Sequence, residues 1–495
     1  MAELTKRERM AMDRTGMPTR DPSERAIDFD EVEMGFTSAL AVVEASRCLN
    51  CRNPVCVEGC PVGVRIDEFI ALLAEGNTSA AAEVIARDNV LPAICGRVCP
   101  QEAQCEGACV LAKKGRPIAI GSLERFVADA ELRRLGRPPA SKAAPSGRHV
   151  AVIGSGPSGL ACAGDLARLG HEVTVFEALH EFGGVLAYGI PPFRLPRSVV
   201  EAEISGLERL GVRFESDVLV GAGPTVDDLL TNGYDAVFVG TGAGLPRFAG
   251  ISGEELIGVI SANEWLTRIN LMRAYEDGST TPVYDVDGLP VVVIGGGNTA
   301  MDAARAAVRL GGRPVTLLYR RSPDELPARA TEVQHAIEEG VVMRYLVSPT
   351  AFIGKDGWLA QISLQDMELG DPDDSGRRGV TPIEGSTSSI DASAAIVAIG
   401  NAPNPILLNA TEELTTTPRG TVIVDPATGA TAKKGVFAGG DVTTGGATVI
   451  LALAAGRRSA KAIHSYLTDN STTPGGLTDE VGNLADSQGP IAQPG

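Results

Sequence analysis

Twice in this chain a short apolar run ends in a glycine-rich turn, opens a helix of small residues and returns as a second apolar run. The first copy is HVAVIGSGPSGLACAGDLARLGHEVTVFE from His149, and the second is PVVVIGGGNTAMDAARAAVRLGGRPVTLLYRR from Pro290, about 141 residues later. Strand, turn, helix and strand in that order form a βαβ unit with two parallel strands and a crossover helix. Two such units commit most of the chain to an α/β architecture whose sheets are covered by helices. The 58 glycines among 495 residues follow no collagen-like period and suit many tight βα turns.

The turns carry chemistry as well as geometry. Gly154, Gly156 and Gly159, with Pro157 and Ser158 between them, form a G-x-G-x-x-G turn after a strand and before a helix. Such a turn lets a pyrophosphate approach the helix N-terminus. Glu177 closes the second strand and is placed to accept hydrogen bonds from ribose hydroxyls, as an adenosine without a 2′-phosphate requires. The second turn has Gly295, Gly297, Asn298 and Thr299, with Ala300 replacing the third glycine. Aligning the units puts Tyr319 where Glu177 stands, with Arg320 and Arg321 immediately after. A carboxylate there would repel a 2′-phosphate and a guanidinium pair would clamp it, so this site is expected to prefer NADPH over NADH. Arg329 is a third candidate, and a solvated basic turn is the alternative reading.

One Rossmann-like unit with the acid and one with arginines point to bound FAD facing NADPH. Three further stretches suit that arrangement. Gly184, Val185 and Tyr188 lie just after Glu177, where backbone could come close to a flavin. VGTGA and VAIGN, with Gly242 and Gly400, end strands in small residues where the chain crosses between domains. GVFAGGDVTTGGATVILA carries Gly440, Asp441, Ala447 and Thr448; Asp441 could bond a ribityl hydroxyl or simply cap a helix.

Eight of the nine cysteines lie between Cys48 and Cys109. The first group is Cys48, Cys51, Cys56 and Cys60, followed by a proline; the second is Cys95, Cys99, Cys105 and Cys109. Closely spaced thiolates with a Cys-Pro step are the pattern of iron–sulfur ligation, and eight supply two four-iron clusters. Zinc prefers paired C-x2-C knuckles, which only Cys48 and Cys51 provide. Cys162, among small residues in mid-helix, reads as packing.

The expected organisation is a helical iron–sulfur domain at 1–145 and an FAD-binding domain at 146–288 and 402–470. An NADPH-binding domain follows at 289–401, and a disordered tail at 471–495. Helices are expected at Ile66–Ala74, Ser79–Arg87 and from Ser122 to about Leu135, and the run from Arg137 to Arg148 reads as a linker. The net charge of −18 opposes nucleic acid and anionic membranes alike. No apolar run reaches 18 residues, and the polar N-terminus lacks a signal-peptide core, so a cytoplasmic protein is expected. The five histidines have no metal-ligand spacing, no CxxC separates the two units, and no hydrolytic nucleophile–base set is evident.

SRCLNCRNPVCVEGCP, ICGRVCPQEAQCEGAC, IGGGNTAMDAAR, YRRSPDELPAR and GVFAGGDVTTGGATVILA make the chain resemble the small (β) subunit family of NADPH-dependent glutamate synthase. That family includes the large subunit of NADH-dependent reduced ferredoxin:NADP oxidoreductase and the N-terminal half of dihydropyrimidine dehydrogenase. The likeness runs from about Met17 to Leu467, and the stretch from Met367 is most similar to the ferredoxin–NADP branch. It implies one cluster on Cys48, Cys51, Cys56 and Cys109 and another on Cys60, Cys95, Cys99 and Cys105. Relatives sometimes substitute a Glu or Gln, which makes Glu102 and Glu124 alternatives to Cys95. The activity implied is hydride exchange between NADPH and FAD, with electrons passing through the clusters to a partner subunit. That partner would be a glutamate synthase large subunit, or a small FAD/2Fe-2S flavoprotein with ferredoxin in a bifurcating complex. The shared motifs do not separate these two. Intact glycine turns and all eight cysteines oppose a merely structural scaffold.

Overall fold

The computed structural model describes residues 4–134, 142–372 and 378–468. The tail expected to be disordered, and the first part of the expected linker, lie outside the described residues.

Between residues 38 and 133 all the regular structure is helical, as the spacing of apolar residues requires. In Ile66–Ala74 the inward side chains are Phe69, Ile70 and Leu73, each at most 1% exposed and contributing roughly 1.5–3 kcal/mol by burial. Thr78–Asp88 starts on Asn77, whose Oδ1 accepts from the Ala80 N–H at 3.1 Å. That cap starts the helix one residue before the expected Ser79. Ile120–Arg133 likewise begins two residues before the expected Ser122. These helices pack Val84, Ile85, Leu123 and Val127 into one core with the cysteine loops.

Both βαβ units form as read. The first sheet has the order Val436–Ala438, Ala236–Val239, His149–Ile153, Glu172–Phe176, Arg213–Glu215, all parallel. The second has Val259–Ser261, Ala394–Val397, Val291–Ile294, Val315–Tyr319, Val342–Tyr345, again parallel. Val150 pairs with Val173 and Val291 with Val315, so the two units share one register. Their edge strands differ in origin. The first sheet takes its edge from beyond the second domain, whereas the second takes Val259–Ser261 from before its own glycine turn. The following helix Ala262–Asn270 buries Trp265, Leu266 and Ile269 against the second unit's helix. The second domain therefore starts about 30 residues before the expected boundary at 289; the three-residue strand is too short to register as a periodic signal.

The two crossings between domains pair with each other as a two-stranded antiparallel ribbon, Leu245–Pro246 with Asn401–Ala402. A three-stranded antiparallel sheet, Val347–Lys355, Trp358–Pro372 and Arg378–Asp391, is inserted in the second domain.

Residues 20–33, expected within the cysteine domain, also reach the other two. The Val32 N–H donates to the Phe193 carbonyl at 2.9 Å. Arg25, 1% exposed, bonds Glu339 at 3.0 Å, and Glu339 also receives Arg305 and Arg309 at 2.8 and 2.7 Å. Phe193 lies under both of those guanidinium groups, 4.6 and 4.0 Å from its ring centre. Removing one partner from such a buried network costs about 3–5 kcal/mol, so the three regions are held as one body. No helix among the described residues is long and apolar enough to cross a membrane.

Candidate active site

Each glycine turn leads into a twelve-residue helix, Pro157–Arg168 or Asn298–Arg309, and no side chain caps either N-terminus. The leading N–H groups of both helices therefore have no side-chain acceptor, and the N-terminal ends of the helix dipoles are positive. A Cβ placed on Gly156 or Gly297 would meet nothing within 4 Å, so both N-termini open to the outside of the fold. They open onto one continuous cavity of about 4160 Å³. An ordinary small-molecule site is about 300–1,000 Å³, so this space accommodates two dinucleotides.

In the first unit the fit is tight. A Cβ on Gly159 would run into the Gly154 carbonyl oxygen, and Gly184, at φ +54°, would bring one to 2.8 Å from the Gly156 Cα. Glu177 is 6% exposed and holds this arrangement together. Its Oε2 accepts from the Ser155 N–H at 2.9 Å and the Ser155 hydroxyl at 2.5 Å, and its Oε1 from the Leu179 N–H at 3.0 Å. Ser155 Oγ in turn accepts from the Gly183 N–H at 2.9 Å. Glu177 thus locks the turn to the Gly183–Gly184 segment, leaves one of its about four acceptor sites unused, and lines the cavity. Ser155 occupies a variable position of the glycine pattern, which is why the pattern alone does not single it out.

The remaining candidates of the first site converge on the same cavity. Val185 and Tyr188 line it, and the Tyr188 carbonyl accepts from Asn270 Nδ2 of the second domain at 3.1 Å. Gly242 and Gly400 flank the two-stranded ribbon with open space above them. Gly440 places Asp441 at the wall, where burial pushes its carboxyl up to about 6 and the Ala447 N–H donates to it at 3.2 Å. Thr448 caps the long helix Val449–Thr468 by accepting from the Leu451 N–H at 3.3 Å.

In the second unit Tyr319 fills the place of the acid and donates its hydroxyl to the Glu325 carbonyl at 2.6 Å. Asn298 and Thr299 line the cavity, and Ala300 is fully buried beneath them. The three arginines part company. Arg320 stands exposed at the cavity wall. Arg321 is 7% exposed and ties its Nε to the Arg378 carbonyl of the inserted sheet at 2.8 Å. Arg329 also lines the cavity, but its guanidinium is engaged with the neighbouring domain. Nη1 donates to the Arg97 carbonyl and Nη2 to Gln101 Oε1, both at 2.8 Å, in the cysteine domain. Arg194 and Asp302, which sequence reasoning missed, pair at 2.5 Å between the domains.

The eight cysteines separate into two groups. Cys48, Cys51, Cys56 and Cys109 surround a cavity of about 30 Å³ walled by Ile66, Ile70, Leu111, Ile118 and Ile120. Cys60, Cys95, Cys99 and Cys105 neighbour one another through their mutual electrostatic influence. Glu124 lies beside this second group, where burial pushes its carboxyl up to about 7; Asn89 donates to it at 2.9 Å. Glu102 instead lies at the surface, 3.6 Å from Arg329. Burial pushes Cys56 up to about 12 and Cys60 to about 11, so these sulfurs stay thiols until a metal displaces their protons. Among the described residues no three His, Cys, Asp or Glu side chains converge as single-ion ligands. Closely grouped thiols, the first group in a largely apolar pocket and the second beside Glu124, suit iron–sulfur clusters. Glu58, Pro61, Val98 and Pro100, beside Cys60 and Cys99, also line the large cavity. Cys162 is fully buried in its helix, as the packing reading requires.

Comparison with known proteins agrees with this geometry. Residues 25–135 match the family described as dihydropyrimidine dehydrogenase domain II, 4Fe-4S cluster. Residues 148–456 match the pyridine nucleotide-disulphide oxidoreductase family. The chain is 35% identical over 461 residues to the glutamate synthase [NADPH] small chain of Escherichia coli K12, covering 92% of this chain and 98% of that one. It is 39% identical over 442 residues to the NADP(+)-dependent formate dehydrogenase subunit beta of Moorella thermoacetica; the match covers 85% of this chain and 60% of that relative's length. Among solved structures, Mycobacterium tuberculosis FprA in complex with NADPH is similar, with TM-score 0.54 and 21% identity. That match covers 65% of this chain and 84% of FprA, and it shows the fold.

Proposed function

The chain belongs to the glutamate synthase [NADPH] small-chain family and is an iron–sulfur flavoprotein oxidoreductase that uses NADPH; from that premise we propose how its residues divide the work. The observation that carries the reading is the single cavity onto which both uncapped helix N-termini open, with the Cys60 and Cys99 loops at its wall.

Gly154, Gly156, Pro157, Ser158 and Gly159 hold the FAD pyrophosphate, with Glu177 on the adenosine ribose. Gly184, Val185, Tyr188, Gly242, Gly400, Gly440, Asp441, Ala447 and Thr448 enclose the rest of the flavin. Gly295, Gly297, Asn298, Thr299 and Ala300 receive the NADPH pyrophosphate, and Arg320 meets its 2′-phosphate. Arg321 supports that corner through its bond to Arg378. When bound, the flavin supplies hydride chemistry and the clusters supply one-electron transfer. The protein's own task is to align the two dinucleotides across one cavity and to exclude water from it. Two quartets, Cys48/Cys51/Cys56/Cys109 and Cys60/Cys95/Cys99/Cys105, hold two 4Fe-4S clusters, the second nearer the flavin.

The electrons go to a large glutamate synthase subunit that makes L-glutamate from glutamine and 2-oxoglutarate, and the site of action is the cytoplasm. Anaerobic purification from the native host tests the assignment. A co-purifying subunit larger than this chain with glutamate synthase activity is expected; a smaller flavoprotein carrying a two-iron cluster would replace it with the bifurcating assignment. Arg320→Ala should weaken NADPH roughly tenfold more than NADH, the loss of a charged hydrogen bond. Equal losses would remove Arg320 from the 2′-phosphate.

A further inference from the structure

Arg329 stands where two sites meet. Its segment rests on the second glycine turn: the Ala328 N–H donates to the Gly296 carbonyl at 3.2 Å, and the Arg329 N–H to Asn298 Oδ1 at 3.0 Å. Its guanidinium lies across the end of the helix Pro92–Val98, which carries Cys95 and ends at Cys99. The last carbonyls of a helix have no intrahelical donors, and a cation there is favoured by the helix dipole. Arg329 supplies both, with Nη1 on the Arg97 carbonyl at 2.8 Å. Through Nη2 it also holds Gln101 Oε1 at 2.8 Å. Gln101, 5% exposed, turns its own Nε2 onto the Cys95 and Gly96 carbonyls at 3.3 and 3.4 Å. These hydrogen bonds join the first turn of the dinucleotide helix to the Cys95 carbonyl, and the Gln101 N–H adds the Cys99 carbonyl at 2.9 Å. Glu102, 3.6 Å from Nε, is the one acidic side chain the cation pairs with among the described residues.

We propose that Arg329 is a positioning residue that couples NADP(H) occupancy to the reduction potential of the cluster on Cys60, Cys95, Cys99 and Cys105. The proposal rests on the assignment of NADPH to Gly295–Ala300 and of that cluster to those cysteines. A ligand settling on the glycine turn moves Asn298 and Gly296, and Arg329 passes the movement to the carbonyls beside Cys95 and Cys99. Hydrogen bonding and local charge are the levers by which a protein sets a cluster's potential. The coupling is reciprocal, so reducing the cluster changes the affinity for NADP(H) by the same factor. The guanidinium has two separable roles: its charge raises the cluster's potential, and its two-pronged contact carries the coupling.

The test is an anaerobic redox titration of the complete protein by electron paramagnetic resonance, with and without saturating NADP+. Wild type, Arg329→Gln and Arg329→Lys are compared, with iron and flavin content checked in each. In wild type, NADP+ should shift the cluster's midpoint by an amount equal to about a fivefold or larger change in NADP+ affinity between oxidised and reduced protein. Arg329→Gln should lower the potential and abolish most of the shift. Arg329→Lys should restore the potential without restoring the shift. A wild-type potential indifferent to NADP+, or a full shift surviving in Arg329→Gln, overturns the coupling. If NADP+ fails to bind in equilibrium dialysis, or no four-iron signal is present, the underlying site assignment falls with it; binding and signal without a shift sink the coupling alone.

Discussion

The two glycine units share a strand register and a helix length, yet they treat their central helix differently. In the first, helix and turn are so close that a Cβ on Gly159 would strike the Gly154 carbonyl. In the second, the equivalent Ala300 is native and fully buried. The first unit ties its turn down through Glu177, Ser155 and Gly183, whereas the second puts Tyr319 in the acid's place and aims its hydroxyl at Glu325. A closely bound turn suits a cofactor that stays, and a more open one suits a nucleotide that enters and leaves on each turnover. The same scaffold is thus specialised by a handful of side chains around its glycines.

The largest effect should come from forcing the second unit's residue into the first. Gly159→Ala must displace the turn or the helix, because the clash is with a backbone oxygen, and overpacking of this kind costs up to about 3 kcal/mol. The expected result is loss of bound flavin, read as the ratio of flavin to protein absorbance, with a lowered Tm. Full flavin retention would show that the two turns are interchangeable.

A second contrast lies after the edge strands. The first unit has Asp441 there, while the second continues from Ser261 into Ala262 and Asn263. Burial raises Asp441 from 3.8 to about 6. Its native pKa exceeds its unfolded one, so the folded state binds the extra proton. The stability this confers is complete below about pH 3.8 and is lost as pH rises through about 6. At roughly 1.4 kcal/mol per unit this amounts to ~2–3 kcal/mol in flavin-free protein. Asp441→Asn should flatten that part of the Tm–pH curve; an unchanged slope would assign the titration elsewhere.

Third in size is the acid itself. Glu177→Ala leaves the Ser155 N–H buried without its acceptor, costing about 1–3 kcal/mol, and should weaken FAD. Tyr319→Phe in the second unit removes one hydroxyl bond and should cost only about 1 kcal/mol, with NADPH oxidation largely kept. Denaturant unfolding of both variants measures the difference, and equal losses would erase the distinction between the units.

These contrasts were legible to different depths in the amino-acid sequence. Glycine spacing, the Glu177-to-Tyr319 replacement and the cysteine runs are local patterns, and each places its element correctly. Val259–Ser261 is three residues long, so its membership of the second sheet is settled by pairing across the chain and leaves no periodic trace. Residues 20–33 read as part of the cysteine domain, but Arg25 and Val32 find partners about 310 and 160 residues away. Arg329 shows the same limit for a side chain. Its nearness to Arg320 and Arg321 suggests a phosphate clamp, but the direction of a long guanidinium depends on what packs beside it. Here that neighbour is Gln101, from a separate domain.

The smallest effect should come from the reverse exchange. Ala300→Gly gives the second unit the first unit's residue, and nothing has to move to admit it. What changes is the helix: glycine near its first turn costs about 0.5–1 kcal/mol through backbone entropy and leaves a methyl-sized gap where Ala300 is fully buried. The expected outcome is a Tm lower by a few degrees, with flavin content unchanged and NADPH still preferred over NADH, because Tyr319 and Arg320 are untouched. The two exchanges together then locate the asymmetry. If Gly159→Ala abolishes flavin binding while Ala300→Gly barely alters NADPH kinetics, the difference lies in the space beneath each helix. If Ala300→Gly also tightens NADP+ so that it dissociates slowly, the alanine is there to keep the second nucleotide mobile, and the openness of that turn is itself a functional setting.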